Sequence, residues 1–377
     1  MTRPRVALAG VHGYGSQHLE RLLARQARGE VDLVGVADPR VGEVGTPPGT
    51  GRYTDLADLL ADRGPDVVVV STPLHTHAEL ATAALDAGAH VLLEKPPTSD
   101  TASFERLVAH ADRVDRRCQV GFQSLGSDAV AHVRDRLAQG RIGEVRAFAA
   151  AACWVRTRSY YRRAPWAGRR SLDGRPVADG ALTNPLSHAV ATVLAVAGSQ
   201  APDDVVAVET DLWHAHDIEA DDTSSARLTL ACGRQVLVAV TLVAAERGEP
   251  YVEVVGTAGR LRLFYALDTV VEEVPGRPPL VTRHGRADLL DDLLAAVATG
   301  SPLASPHAAA GGFMRVLDAV MSGDGPRAVD PRFLRVTELP GGDEQLHLDR
   351  VEEAVGRAVR EGALFGELDL PWAPAAR

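Results

Sequence analysis

Arg5-Val6-Ala7-Leu8-Ala9-Gly10-Val11-His12-Gly13-Tyr14-Gly15 is the stretch that decides the fold of this chain. The apolar run to Ala9 reads as a strand, the glycines after it as a tight turn, and the segment beyond as a helix. Such a turn leaves the N–H groups at the helix N-terminus facing an anion, and a dinucleotide pyrophosphate fits there. The usual spacing is G-x-G-x-x-G: Gly10 and Gly15 occupy its first and third positions, His12 stands at the second, and Gly13 is displaced. Asp38 closes the next apolar run about 20 residues on, where a carboxylate accepts hydrogen bonds from an adenosine ribose. That carboxylate repels a 2′-phosphate and favours NAD, while Arg40 could reach a 2′-phosphate and keeps NADP open.

Outward from this motif, Arg5–Gly10, Val31–Ala37, Val67–Ser71, His90–Leu93 and Cys118–Gly121 alternate with amphipathic stretches, the pattern of a parallel sheet with helical crossovers. Val67-Val68-Val69-Val70 is apolar on every residue and belongs in the middle of that sheet, covered on both faces. After about residue 122 the pattern changes. Val145–Trp154, Val205–His214, Ala226–Ala231, Gln235–Ala244, Tyr251–Gly256 and Arg260–Phe264 follow one another with few helices between, which predicts antiparallel pairing through short turns at Gly233 and Gly259. Arg286–Met321 and Leu348–Gly362 are helix-like, and Val274–Pro279 is a loop. The expected architecture is α/β: a Rossmann doubly wound parallel sheet over 1–122, then an α+β domain over 123–377 on a mostly antiparallel open sheet, serving substrate binding and oligomerisation.

Composition narrows the function classes. With 50 acidic against 40 basic residues and no basic block, the net charge of −10 argues against nucleic acid as a partner. No apolar run is long enough to span a bilayer, and the N-terminus has no signal-peptide hydrophobic region. Cys118, Cys153 and Cys232 are scattered and read as reduced thiols, so the expected location is the cytoplasm. The pairs His75-x-His77 and His214-x-His216 lack a closed ligand set, and no metal is expected.

Ser71-Thr72-Pro73-Leu74-His75-Thr76-His77, followed by Ala87-Gly88-Ala89-His90-Val91-Leu92-Leu93-Glu94-Lys95-Pro96, resembles the Gfo/Idh/MocA oxidoreductases, and the resemblance covers nearly the whole chain. It implies that Lys95 contacts the reacting hydroxyl and the nicotinamide ribose, and that Ser71, Thr72, Pro73, His77, Glu94 and Pro96 join Gly10, His12, Gly13, Tyr14, Gly15, Asp38 and Arg40 at the cofactor. Gly180-Ala181-Leu182-Thr183-Asn184-Pro185-Leu186-Ser187-His188 resembles the family's G-x-L-x-D-x-G-x-H, whose histidine is the acid/base, which makes His188 the candidate here. Asn184 stands where an aspartate is usual. It is read either as a helix N-cap, with Pro185 at the first helical position and Gly198 as the stop, or as a substrate contact. The helix dipole would then keep His188 neutral.

Arg156, Tyr160 and Trp166 concentrate guanidinium and aromatic groups in a chain only 5% aromatic, and are candidate sugar contacts. The resemblance thus implies an NAD(P)-dependent dehydrogenase or reductase acting on CH–OH groups of a sugar, cyclitol or related small molecule. It also implies a homodimer or homotetramer paired through the broad sheet. Two alternatives stand beside it: a redox-neutral NAD-dependent glycoside hydrolase or lyase, and a non-catalytic cofactor-binding sensor.

Overall fold

The computed structural model describes residues 3–375. The first part of the chain runs β1 (Arg5–Ala9), α1 (Tyr14–Ala27), β2 (Asp32–Ala37), β3 (Gly51–Tyr53), α2 (Leu56–Arg63), β4 (Val67–Val70), α3 (His77–Asp86), β5 (His90–Leu93), α4 (Thr101–Arg113) and β6 (Cys118–Val120). It continues with α5 (Asp128–Ala138), β7 (Val145–Cys153), α6 (Arg158–Arg162), β8 (Ser171–Leu172), β9 (Arg175–Pro176), α7 (Ser187–Ala197), β10 (Val205–His214), β11 (Thr223–Leu230), β12 (Gln235–Thr241), β13 (Tyr251–Gly256), β14 (Arg260–Phe264), β15 (Thr269–Glu273) and β16 (Leu280–Arg283). The last elements are α8 (Leu289–Thr299), α9 (Gly311–Ser322), β17 (Arg327–Ala328), β18 (Leu334–Glu338), β19 (Glu344–Leu348) and α10 (Val351–Glu361).

Two compact units result: residues up to Phe122 together with Asp288–Ala308, and Gln123–Ala287 together with the chain from Ala309 onward. The segment 288–308 therefore departs from the sequence expectation, which left it in the second domain. Its helix α8 is apolar at Leu289, Leu290 and Leu293, and these side chains share a core with Val6, Leu8, Val67 and Leu92 of the parallel sheet and Leu22 of α1. Arg25 of α1, nearly buried, forms ion pairs with Asp288 and Asp291 at 2.9 Å each. Periodicity marks α8 as a helix but carries no information about which of two cores receives it.

The first unit is a six-stranded parallel sheet ordered β3-β2-β1-β4-β5-β6, the doubly wound arrangement whose crevice lies at the carboxyl ends of β1 and β4. β4 lies between β1 and β5, and its four valines are fully buried, because helices cover both faces. Strand β3 was absent from the sequence reading. It is three residues long, starts at glycine and pairs along one edge only, so it is too short to show a periodicity.

The second unit is built on a nine-stranded sheet ordered β16-β15-β14-β13-β7-β12-β11-β10-β17, antiparallel except where β7 meets β12 and β10 meets β17. Helix α7, nearly all buried, lies against β7, β12 and β13. The other face carries Ala149, Ala151, Leu237, Ala239 and Trp213, and it is not open. α10 lays Val351, Ala354, Val355 and Ala358 across it, with Phe365 and Trp372 beyond. That spacing of i, i+3, i+4 and i+7 is the apolar stripe of an amphipathic helix. The broad free face expected for pairing of subunits is thus closed over these strands by the chain's own C-terminal segment. β15, β16 and the β18–β19 hairpin escaped the sequence reading because they are short, and β16 and β18 are also mostly exposed: Leu280 and Val281 are 46% and 58% exposed.

Candidate functional site

The turn after β1 is shaped by close approach. Gly10 has φ +86°, and a Cβ there would lie 2.2 Å from the Ser71 carbonyl oxygen; a Cβ on Gly15 would lie 2.2 Å from the Gly10 carbonyl oxygen. Gly13, at φ +59°, precedes α1, and nothing within 4 Å would meet its Cβ. These glycines let the loop Ser71-Thr72-Pro73 pack onto the turn at the helix N-terminus, the cradle that a pyrophosphate requires. We expect Gly15→Ala to cost about 3 kcal/mol or more, as overpacking against backbone does, and Gly13→Ala about 2 kcal/mol from backbone strain alone, since φ +59° with ψ −124° suits glycine only; urea unfolding measures both.

Asp38 is tied to this turn. One carboxylate oxygen accepts from the Val11 N–H at 3.1 Å and the other from the Arg40 N–H at 2.8 Å. The His12 ring, at the position of the second glycine, places Nε2 3.7 Å from the same carboxylate. Arg40 is exposed.

Around Lys95 the structure shows a clamp. Glu94 and His18 are both buried, and His18 Nε2 lies 2.9 Å from Glu94 Oε1. Burial pushes the Glu94 carboxyl up, but the hydrogen bond and charge of His18 and the charge of Lys95 outweigh it, and the group ends below its ordinary value. Its second oxygen accepts from the Lys95 N–H at 3.2 Å. Room for this carboxylate exists because residue 121 is glycine: a Cβ there would stand 2.9 Å from Glu94 Oε1. On the far side of the cis Lys95–Pro96 bond, the Pro96 carbonyl lies 2.7 Å from His77 Nδ1, and the Thr72 carbonyl lies 2.8 Å from His77 Nε2. His77 is 2% exposed, and burial lowers its pKa against the pull of those two carbonyls and of Glu94. His77 and Glu94, expected at the cofactor, are both buried and tie residues 72, 95 and 96 together through their hydrogen bonds. His18 was missed; it lies one helical turn after Gly15, but its partner 76 residues away is visible only in three dimensions.

In the second unit, Asn184 is not the helix cap. α7 begins at Ser187 after Leu186, and Asn184-Pro185 form the turn before it, with the Asn184 carbonyl accepting from the Ser187 hydroxyl at 2.9 Å. The amide of Asn184 instead donates to Asp179 at 2.6 Å. Asp179, 2% exposed, also accepts from the Gly168 N–H at 2.7 Å. The tertiary fold thus supplies a carboxylate beside the position where the sequence has lost one. Gly198 ends α7 in the left-handed conformation, as expected. His188 is the second residue of α7, and its Nδ1 lies 3.3 Å from the hydroxyl of Ser124, which is 2.8 Å from that of Thr192. Neither hydroxyl was singled out from sequence.

Arg156, Tyr160 and Trp166 come together through Arg163. The Arg156 guanidinium is 4.6 Å from the Tyr160 ring centre, and that of Arg163 is 3.5 Å from Tyr160 and 4.6 Å from Trp166. Arg163 reaches Asp179 at 3.5 Å, which connects this cluster to Asn184. Of the two histidine pairs, His216 packs on Tyr161 with ring centres 4.6 Å apart, and burial pushes its pKa down to about 4. Its neighbour Asp222 is bonded by the N–H groups of Ala215 and His216.

Comparison with known proteins agrees with this arrangement. Residues 4–122 match the family described as oxidoreductase family, NAD-binding Rossmann fold, and residues 130–262 match the Gfo/Idh/MocA C-terminal domain. Inositol 2-dehydrogenase 1 of Saccharopolyspora erythraea is 34% identical over 144 residues, which is 37% of this chain and 43% of that enzyme. The matches to such curated relatives thus span less than half of their length. Two solved structures share the fold over 84% of this chain. The WlbA dehydrogenase from Bordetella pertussis, in complex with NADH and UDP-GlcNAcA, has a TM-score of 0.68 at 23% identity over 95% of its length. Levoglucosan dehydrogenase in complex with NADH has a TM-score of 0.70 at 18% identity over 96%. Two adjoining family matches, a 3-2-1-4-5-6 parallel sheet with a glycine turn, and a Glu-Lys-Pro loop beyond β5 lead to one conclusion: this chain belongs to the Gfo/Idh/MocA oxidoreductase family.

Proposed function

We propose that the protein is an NAD-dependent dehydrogenase or reductase acting on a CH–OH group of a sugar, cyclitol or related small molecule. The observation that carries this reading is the clamp that fixes Lys95 from both sides, by Glu94 with His18 and by Pro96 with His77. A lysine with no task would not call for a buried His–Glu pair behind its backbone. The Gly10–Gly15 turn would hold the cofactor, which would supply the hydride acceptor for oxidation of the carbinol carbon.

The chain's own residues handle the proton and the charge. His188 takes the hydroxyl proton and Lys95 stabilises the oxygen that becomes negative as the C–H bond breaks. His188 is positioned by two hydroxyls. The His188 carbonyl can only accept, and it lies 2.6 Å from the Thr192 hydroxyl. The same Thr192 hydroxyl lies 2.8 Å from that of Ser124, and Ser124 lies 3.3 Å from His188 Nδ1, so the two hydroxyls hold the helix turn and the ring in place for the proton transfer. Asn184, oriented by Asp179, and Arg156, Tyr160 and Trp166 bind substrate.

Cofactor choice rests on Asp38, whose carboxylate would face a 2′-phosphate. Asp38→Ser is expected to raise the NADP-to-NAD ratio of kcat/KM by about tenfold or more, Arg40 then serving as the phosphate partner; an unchanged ratio removes Asp38 from the discrimination. A cytoplasmic location is part of the reading, in keeping with three free cysteines. No helix among the described residues is long and apolar enough to cross a membrane. A homodimer or homotetramer would have to pair outside the sheet area that α10 covers, and sedimentation equilibrium reads the assembly directly.

The test is absorbance at about 340 nm, the band of reduced nicotinamide, with NAD or NADP and a panel of sugars, cyclitols and their acids. A substrate-dependent rise establishes the dehydrogenase. Silence with demonstrable cofactor binding overturns it in favour of a redox-neutral or sensing role.

A further inference from the structure

The groups after β7 form a continuous stack of cations and rings. Arg247 lies 4.4 Å from the Trp154 ring centre, Arg156 lies 5.3 Å from Trp154 and 4.6 Å from Tyr160, and Arg163 lies 3.5 Å from Tyr160 and 4.6 Å from Trp166. Stacking of this kind holds a guanidinium plane in place and leaves its N–H edge for a planar acceptor.

Arg163 pairs with Asp179 and Arg247 is exposed to solvent, whereas Arg156 has no opposite charge among the described residues. It is half-buried, and its acceptors are the Val155 carbonyl at 3.2 Å and the Tyr160 hydroxyl, both neutral. Its Nε is buried with no hydrogen-bond partner, and so are Trp154 Nε1 and the Tyr161 hydroxyl in the same cluster. A desolvated guanidinium without an opposite charge costs stability, and each buried donor without an acceptor adds to that cost. The nearby acids are otherwise engaged: Asp179 accepts from Gly168, Asn184 and Arg163, and Asp222 from Ala215 and His216. His216 Nε2 lies 3.1 Å from the Arg156 carbonyl and brings no negative charge.

The cluster is therefore rich in donors and positive charge and short of acceptors. A neutral sugar hydroxyl brings a further donor along with its two lone pairs and leaves the charge uncompensated. A carboxylate or phosphate brings only acceptors and the missing charge, and it matches the guanidinium fork bidentately. We propose that Arg156, flanked by Trp154, Tyr160 and Tyr161 and assisted by Arg163, binds an anionic group on the substrate. The inference rests on the redox reading above and narrows its substrate to acidic or phosphorylated sugars and cyclitols.

Tryptophan fluorescence tests this without turnover, because Trp154 and Trp166 both belong to the stack. The probes are D-glucuronate for the carboxylate, D-glucose 6-phosphate for the phosphate, and D-glucose as the neutral reference. One or both anionic sugars should bind at least about tenfold tighter than glucose, with the gap shrinking as salt is raised. Arg156→Gln should reduce the gap to about twofold or less, whereas Arg357→Gln, which removes the ion pair with Glu361 on α10, should leave it intact. Circular dichroism establishes that each variant is folded. Should Arg156→Gln not fold, Arg156→Lys, which keeps the charge but not the fork, should bind the anionic sugars less tightly than the wild type while glucose is unaffected. The tighter of the two anionic probes identifies the anion. Glucose binding as well as both anions, no binding of either anion up to about 20 mM, or a gap that survives Arg156→Gln each overturns the proposal. An Arg156-dependent preference with no nicotinamide signal for any compound would sink the redox reading alone, and turnover of neutral sugars without that preference would sink this one alone.

Discussion

Lys95→Ala lowers kcat by about three orders of magnitude, while the Kd for NADH stays within about threefold of wild type. The size follows from the charge that develops on the substrate oxygen: a preorganised cation there acts on the transition state more than on the ground state. The clean separation follows from the clamp. Glu94 accepts from the backbone N–H of residue 95, and His77 holds the Pro96 carbonyl. Neither contact uses the lysine side chain, so the loop keeps its path when that side chain is truncated. Lys95→Arg should not restore activity, since a planar fork cannot replace a compact ammonium at one oxygen. Steady-state kinetics and fluorescence titration of NADH check both halves, and turnover within tenfold of wild type would remove Lys95 from the chemistry.

Asn184→Asp is the second large effect, and its sign runs against family resemblance. Position 184 carries aspartate in the family pattern, yet here its side chain donates to Asp179 at 2.6 Å. Two carboxylates at that separation repel by on the order of 6 kcal/mol at an effective dielectric of about 20, so they hold a proton between them or move apart. We expect a loss of about 3 kcal/mol at pH 8, a Tm lower by roughly 6–12 °C. The folded pair binds its proton more tightly than the unfolded chain does, so the loss is present above the pair's raised pKa and is relieved as the pH falls through it. The double variant Asp179→Asn with Asn184→Asp removes the repulsion by exchanging the partners and should recover most of the Tm at pH 8. Thermal melts from pH 5 to 9 decide the matter: a single variant as stable as wild type throughout would mean that the two side chains are not forced together.

Much of this site was legible in the chain. Asp38, Lys95 and His188 stand at the ends of strands or the start of a helix, where local pattern locates them. The glycine turn was readable despite His12 because its first and third glycines are demanded by backbone contacts that allow no Cβ. What sequence misassigned shares one property. Asn184 satisfies every local rule for an N-cap, and only the competing carboxylate of Asp179, brought in by the turn 178–186, draws its amide elsewhere. His18, Ser124 and Thr192 are ordinary residues whose partners lie 76, 64 and 68 positions away.

The amino-acid sequence by itself determined the class of the fold, the place of Val67–Val70 inside the parallel sheet and the candidates for the groups bearing charge and protons. These depend on periodicity and on short-range sterics within a few residues. Tertiary structure alone decided that α8 joins the first unit, that α10 closes the outer face of the second sheet, that a His–Glu pair and a buried histidine fix Lys95, and that Arg156 is left without a counter-charge. The physical reason is the same in each case. A local pattern states that a face is apolar or that a side chain donates, but the partner that satisfies it is chosen by packing across tens to hundreds of residues.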